Sequence, residues 1–189
     1  MTIGEINQTF LIMNKIILVT GGARSGKSVF AEKCTLEYAG KRAYIATAHI
    51  FDEEMAQRVK LHRERRAGEG WSTIEEEYDL SVALTRAQEQ NAEAVLVDCL
   101  TIWINNLMFR NPDFTEAEMI AETEKLIGSL KAFPGLAVPV ISEVGQGIVP
   151  DNAPARLFRD CSGRCGQMVA AAADEVWYCV CGIPWKIKG

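Results

Sequence analysis

The segment GGARSGKS, residues 21–28, satisfies G-x-x-x-x-G-K-[ST], the pattern by which a backbone loop and one lysine hold a nucleoside triphosphate. Gly21 and Gly26 allow the tight path that turns successive N–H groups, those of Gly22, Ala23, Arg24 and Ser25 included, toward phosphate oxygens. Lys27 brings positive charge to the β- and γ-phosphates. The hydroxyl of Ser28 suits a magnesium ion bridging them. A glycine-rich turn that binds nothing is the alternative, and the flanks argue against it: an apolar run precedes the motif and a helical pattern follows.

Asp98 closes the apolar run AVLVD, where this nucleotide-binding class places a second acid that holds magnesium directly or through water. A helix cap is the competing use for an acid at that position. His62 lies in EEMAQRVKLHRERR beside Arg58, Lys60, Arg63, Arg65 and Arg66. Neutral imidazole can attack phosphorus, and nearby guanidinium groups would stabilise the charge on a transferring group. On chemistry alone, a solvated charged helix with an incidental histidine is the better reading. The loop EVGQGIVPDN, residues 143–152, is either a substrate loop or a plain connection. Arg156, Arg159 and Arg164 follow at helical spacing and would meet either phosphate or water. The pairs Cys161/Cys165 and Cys179/Cys181 lack the C-x-x-C spacing of a thiolate metal site.

Elements able to position these groups alternate along the chain. Strands are predicted over residues 16–20, 42–46, 94–98, 137–142 and 175–181, with a short edge strand at 185–187. Helices are predicted over 27–39, 52–66, 80–91, 115–133 and 153–174, the first with Val29, Phe30 and Leu36 recurring at helical spacing. Strands joined through helices require crossovers, hence an α/β fold with a mostly parallel sheet and helices on both faces. Ligands of such sheets collect at the carboxyl ends of the strands, here just after Thr20, Ala46, Asp98 and Ser142. The four tryptophans, Trp71, Trp103, Trp177 and Trp185, read as core or interface residues.

The chain has 189 residues and a net charge of −5, one domain's worth, acidic enough to argue against a nucleic-acid footprint. Residues 1–14 read as a frayed extension and 15–189 as a single domain, with Met13 a possible alternative start. No run is long enough to span a bilayer, and the scattered cysteines suit a reduced, cytoplasmic setting without disulfides.

In order and spacing, ILVTGGARSGKS, YIATA, DEEMAQRVKLHRERR, WSTIEE, VLVDCLTIW, EVGQGIVPDN, ARLFRD and AAAADEVW resemble the bifunctional adenosylcobinamide kinase and adenosylcobinamide-phosphate guanylyltransferase family of cobalamin biosynthesis. The EVGxGIVP string and the M-x-x-R-[IV]-x-x-H helix are its more particular marks. Ser142 departs from the family's usual asparagine. The resemblance implies a P-loop NTPase-like domain, assembled as a homotrimer, that phosphorylates adenosylcobinamide with ATP or GTP. It then transfers GMP from GTP, through a guanylylated histidine, to adenosylcobinamide phosphate. His62 matches that histidine. By motif, residues 21–28 would hold triphosphate, Ala46, Thr47, Ala48, Arg63, Glu64, Arg65 and Arg66 would contact GTP, and Glu75 and Asp98 would complete the site with magnesium at Ser28 and Asp98.

Overall fold

The run KIILVTG at Lys15–Gly21 forms strand β1, and its four central residues are all buried. A strand buried on both faces has to lie inside a sheet with layers on either side. The computed structural model describes residues 14–38, 40–48 and 70–189. After β1 come α1 (Lys27–Leu36), β2 (Arg42–Ala46), β3 (Trp71–Glu75), α2 (Leu80–Glu89), β4 (Ala94–Asp98) and α3 (Leu100–Arg110). They are followed by α4 (Glu116–Ala132), β5 (Leu136–Ser142), α5 (Ala153–Ala172), β6 (Glu175–Val180) and β7 (Ile183–Lys188).

The strands form one sheet in the order β3-β2-β4-β5-β1-β6-β7, parallel throughout except for β7, which runs antiparallel to β6. Alternate residues of β1 feed two cores. Ile16 and Leu18 join Leu84, Ile104, Leu126 and Val169 from α2 to α5, whereas Ile17 and Val19 join Ala31 and Phe30 from α1. The expected α/β architecture with helices on both faces is what the chain adopts. None of the helices among the described residues is long and apolar enough to cross a membrane.

Local chemistry explains most boundaries. Thr115 starts α4 with a capping box, its Oγ1 accepting from Glu118 N at 3.2 Å while Glu118 Oε2 accepts from Thr115 N at 2.7 Å. Asn152 caps α5 through Ala155 N at 2.8 Å, and Asp79 caps α2 through Val82 N at 3.1 Å. Two elements go beyond the sequence reading: β3 and α3. In α1 the buried side chains are Ala31, Glu32 and Thr35, and Val29 is 57% exposed, so the helix presents a different face from the one its apolar spacing suggests. Small Ala31, with Thr35 Oγ1 donating back to its carbonyl at 2.8 Å, lets the helix lie close on the sheet. α1 ends at Leu36, short of residue 39. Trp103 is core, but Trp185 on the outer edge strand is 67% exposed. The expected helix over 52–66 lies outside the described residues, as does nearly all of the proposed extension 1–14.

At the amino edge, Glu175 ties β6 to β1. It accepts from Lys15 Nζ at 2.7 Å and from Trp177 Nε1 at 2.9 Å, and Lys186 Nζ stands 3.2 Å away. The Lys15 hydrogen bond is the main cause that lowers its carboxyl from 4.5 to about 2. A carboxyl depressed on folding adds stability above its unfolded value, and that stability is lost as pH falls through the folded one. Glu175→Gln should therefore be less stable at neutral pH and should lose less on acidification from pH 4.5 toward 2. Urea titrations at a series of pH values check this; parallel curves for the two proteins would refute it.

Candidate active site

Gly21 leaves β1 at φ 146° and Gly26 enters α1 at φ 92°, with Arg24 between them at φ 58°. A backbone with left-handed positions so closely spaced folds into a concave loop whose N–H groups face inward. Outside contacts hold it there. Gly21 O accepts from Glu143 N at 3.0 Å, and Ser25 O accepts from Gly182 N at 2.9 Å. A Cβ on Gly21 would press on Cys179 O at 2.4 Å, which excludes a side chain there, and one on Gly26 would meet Gly182 Cα at 3.1 Å, a tight contact at a strained φ. Lys27 Nζ donates across the loop to Gly22 O at 3.2 Å. The buried Ser25 Oγ has no hydrogen-bond partner among the described residues. The α1 N-terminus, capped only by Gly26 with no side-chain bond, adds its positive end. This is a cradle for an anion.

The sheet lines up the remaining groups. Cα partners run across it from Glu75 to Ala46, Asp98, Val140 and Val19, so Asp98 sits on the loop's edge of the sheet two strands from β1. With strands about 4.8 Å apart, that lateral offset is about 10 Å, a span the phosphates of a bound nucleotide can occupy. Tyr44 Oη donates to Asp98 Oδ2 at 3.3 Å. Ser28 in the first turn of α1 and Asp98 offer only oxygen donors, the chemistry magnesium prefers.

Thr47 is fully buried. Its Oγ1 donates to Cys99 O at 2.9 Å and accepts from Cys99 N at 2.8 Å, and Asn106 Nδ2 donates to Thr47 O at 2.8 Å. These bonds hold the end of β2 against the end of β4. Burial, then the Asp98 charge, push the Cys99 thiol up to about 11, which keeps it a neutral neighbour. Burial does the same to Cys161 (about 11) and Cys165 (about 12), against the thiolate form a metal requires. All six cysteines are free thiols.

Residues 143–152 are organised at both ends. Glu143 Oε1 accepts from Gly145 N at 2.6 Å and Gln146 N at 3.1 Å, while Arg156 Nη1 donates to Pro150 O at 3.0 Å and Asp151 O at 2.8 Å. Tyr178 Oη donates to Gln146 Oε1 at 3.4 Å. So the structure brings together Gly21 to Ser28, Ala46 to Ala48, Glu75 and Asp98 on one edge, with Ala23, Arg24 and Glu75 exposed. His62, Arg63, Glu64, Arg65 and Arg66 lie outside the described residues. Of the residues that brace the loop, Glu143 opens the 143–152 segment noted from sequence, whereas Gly182 is missed by the sequence reading, its only local signal being a glycine after Cys181.

Residues 17–187 match the family described as cobinamide kinase / cobinamide phosphate guanyltransferase. The chain is 44% identical over 183 residues, 92% of its length and 99% of the relative's, to a bifunctional adenosylcobalamin biosynthesis protein of Escherichia coli strain K12. The Salmonella typhimurium counterpart is 43% identical over the same shares, and that of Pseudomonas aeruginosa 37% over 91% of this chain and 96% of the relative. A crystal structure of a KaiC-like protein from Pyrococcus horikoshii superposes with a TM-score of 0.54 at 17% identity, covering 87% of this chain and 70% of that one. That likeness concerns the fold, a P-loop NTPase-like α/β sheet.

Gly26→Ala should destabilise the protein by about 1–3 kcal/mol, through left-handed strain plus the contact with Gly182, and should weaken triphosphate binding at the same time. Thermal melts paired with nucleotide titration check it. A variant with wild-type stability and affinity would show that the hairpin does not brace the loop.

Proposed function

The chain belongs to the cobinamide kinase / cobinamide phosphate guanyltransferase family, and on that premise we propose that it carries out two phosphorus transfers at one edge of its sheet. In the first, the hydroxyl of adenosylcobinamide attacks the γ-phosphorus of ATP or GTP, giving adenosylcobinamide phosphate and a nucleoside diphosphate. In the second, His62 attacks the α-phosphorus of GTP and releases pyrophosphate. The phosphate of the first product then displaces His62, and the product is adenosyl-GDP-cobinamide.

The observation that carries this reading is the braced anion cradle of residues 21–28, on the same edge as Asp98 and the end of β2. The cradle's N–H groups would hold the β- and γ-phosphates, and Lys27 would turn from Gly22 O toward them. Ser28 and Asp98 would hold magnesium, which when bound neutralises phosphate charge. γ-Phosphoryl transfer asks for little beyond this positioning and charge. Nucleotidyl transfer through histidine divides one displacement into two. The role given to His62 and Arg63 to Arg66, which lie outside the described residues, is the one the family resemblance implies for the M-x-x-R-[IV]-x-x-H segment. A homotrimer, implied by the resemblance, would leave room for a site completed between copies.

Incubation with α-labelled GTP and magnesium should leave acid-labile, base-stable label on the protein, absent from His62→Ala. Label retained in that variant would remove His62 from the mechanism, and cobinamide-dependent loss of γ-phosphate without any label would reduce the protein to a kinase. Lys27→Ala should slow both half reactions by at least about tenfold, because it takes charge from the shared phosphate site. Rates equal to wild type in that variant would contradict the shared site.

A further inference from the structure

Two side chains on the loop beside the cradle have no structural use within the described fold. Ile148 is 98% and Val149 58% exposed, at the tip of a loop whose two stems are hydrogen-bonded through Glu143, Tyr178 and Arg156. The stems hold the tip out to solvent. Behind it, between the loop and α5, lies an open cleft of about 520 Å³ with Gly145 on one wall and Arg159, Asp160, Gly163 and Gln167 on the other. Arg164, whose Nε donates to Glu116 Oε1 at 3.0 Å, lines it as well. Two arginines and two carboxylates make this lining mixed in sign, unlike the basic lining of a phosphate pocket.

We infer that this surface seats the corrin ring of the acceptor, the apolar ring face on Ile148 and Val149 and its neutral amide side chains in the cleft. The inference rests on the proposed function and assigns it an acceptor site. A primary amide both donates and accepts, so it matches a lining of mixed donors and acceptors. Arg159 stands 3.6 Å from Asp160 and Gln167 Oε1 accepts from Arg164 Nη1 at 3.3 Å, leaving the Gln167 amide nitrogen and the outer carboxylate oxygen of Asp160 to a ligand. Distance supports the assignment. The acceptor's reacting group ends an arm that hangs from the ring, so the ring has to lie beside the phosphate cradle and not in it. Glu143 N is bonded to Gly21 O, and five residues of chain from Glu143 place Ile148 within about 17 Å of the cradle. Gly163 supplies a probe. It lines the cleft from inside α5, and a Cβ there would meet nothing within 4 Å, so a side chain placed at this position enters the cleft without displacing the packing of the helix.

The test is equilibrium dialysis of adenosylcobinamide, followed by its visible absorption, against the full chain and three variants. Ile148→Ser/Val149→Ser should weaken corrinoid binding by at least about tenfold, since burial of even one branched side chain is worth that much and two are removed. Gly163→Leu should weaken it at least as much by filling the cleft, with a melting temperature no lower than wild type, an outcome that a merely structural role would not produce. Ile187→Ser, an exposed apolar change on β7, should bind as wild type, and all three variants should keep the wild-type dissociation constant for GTP. Undiminished corrinoid binding in both site variants overturns the assignment and leaves the proposed function standing. Failure of the wild-type chain to bind adenosylcobinamide overturns both. A fall in sedimentation mass accompanying the loss would make the tip a contact between copies of the chain and would likewise overturn it.

Discussion

A phosphate cradle made of main chain has to keep its N–H groups turned inward, and a polypeptide does not hold that shape alone. Here it requires positive φ at Gly21, Arg24 and Gly26, and each turn of the path is braced from outside: Glu143 N on Gly21 O, Gly182 N on Ser25 O, and the Gly182 backbone against Gly26. Those braces come from the strands on either side of β1 and from the hairpin beyond. The strand order is therefore part of the site. Only with β5 and β6 flanking β1 do residue 143 and the β6–β7 turn arrive at the loop, and that turn, with Cys181 and Gly182 at φ 51° and 82°, has the two-residue form that joins adjacent twisted strands.

The same order keeps the second acid apart from the loop. β5 lies between β1 and β4, so Asp98 ends a strand two places from β1 and its loop. The clamp of Thr47 on Cys99 then fixes the ends of β2 and β4 relative to each other. Central β5 carries Pro139, opposite Val97, and so lacks one N–H in its ladder. Burial of every residue from Leu136 to Ile141 outweighs that loss.

What could be read from sequence was whatever is encoded locally. The cradle is a contiguous motif, and β2 and β4 are apolar runs bounded by polar residues, so their limits, residues 42–46 and 94–98, are found where expected. β3 escaped because WSTIE is an edge strand with only Ile74 buried, which leaves no alternation to see. α3 escaped for the opposite reason. LTIWINNLMFR follows Asp98 almost at once, and its N-cap Cys99 makes no side-chain bond, so no capping signal separates it from the strand. What anchors it is tertiary: Trp103 is buried, with Nε1 donating to Tyr78 O at 2.7 Å. The bracing of residue 26 by residue 182 is long-range contact that no local pattern contains.

The chain is acidic, yet two carboxylates near this edge, Glu143 and Glu76, are engaged in organising backbone. Glu143 accepts from N–H groups of its own loop. Glu76 Oε1 accepts from Tyr78 N and Asp79 N, both at 3.1 Å, and its other oxygen stands 3.7 Å from Arg86. A carboxylate surrounded by N–H donors projects less negative potential toward a ligand than one left in solvent, so these acids shape the edge without repelling what binds there. Asp98 too has a donor, Tyr44 Oη at 3.3 Å. The net charge of the whole chain thus says little about this edge; the donors around each acid decide it.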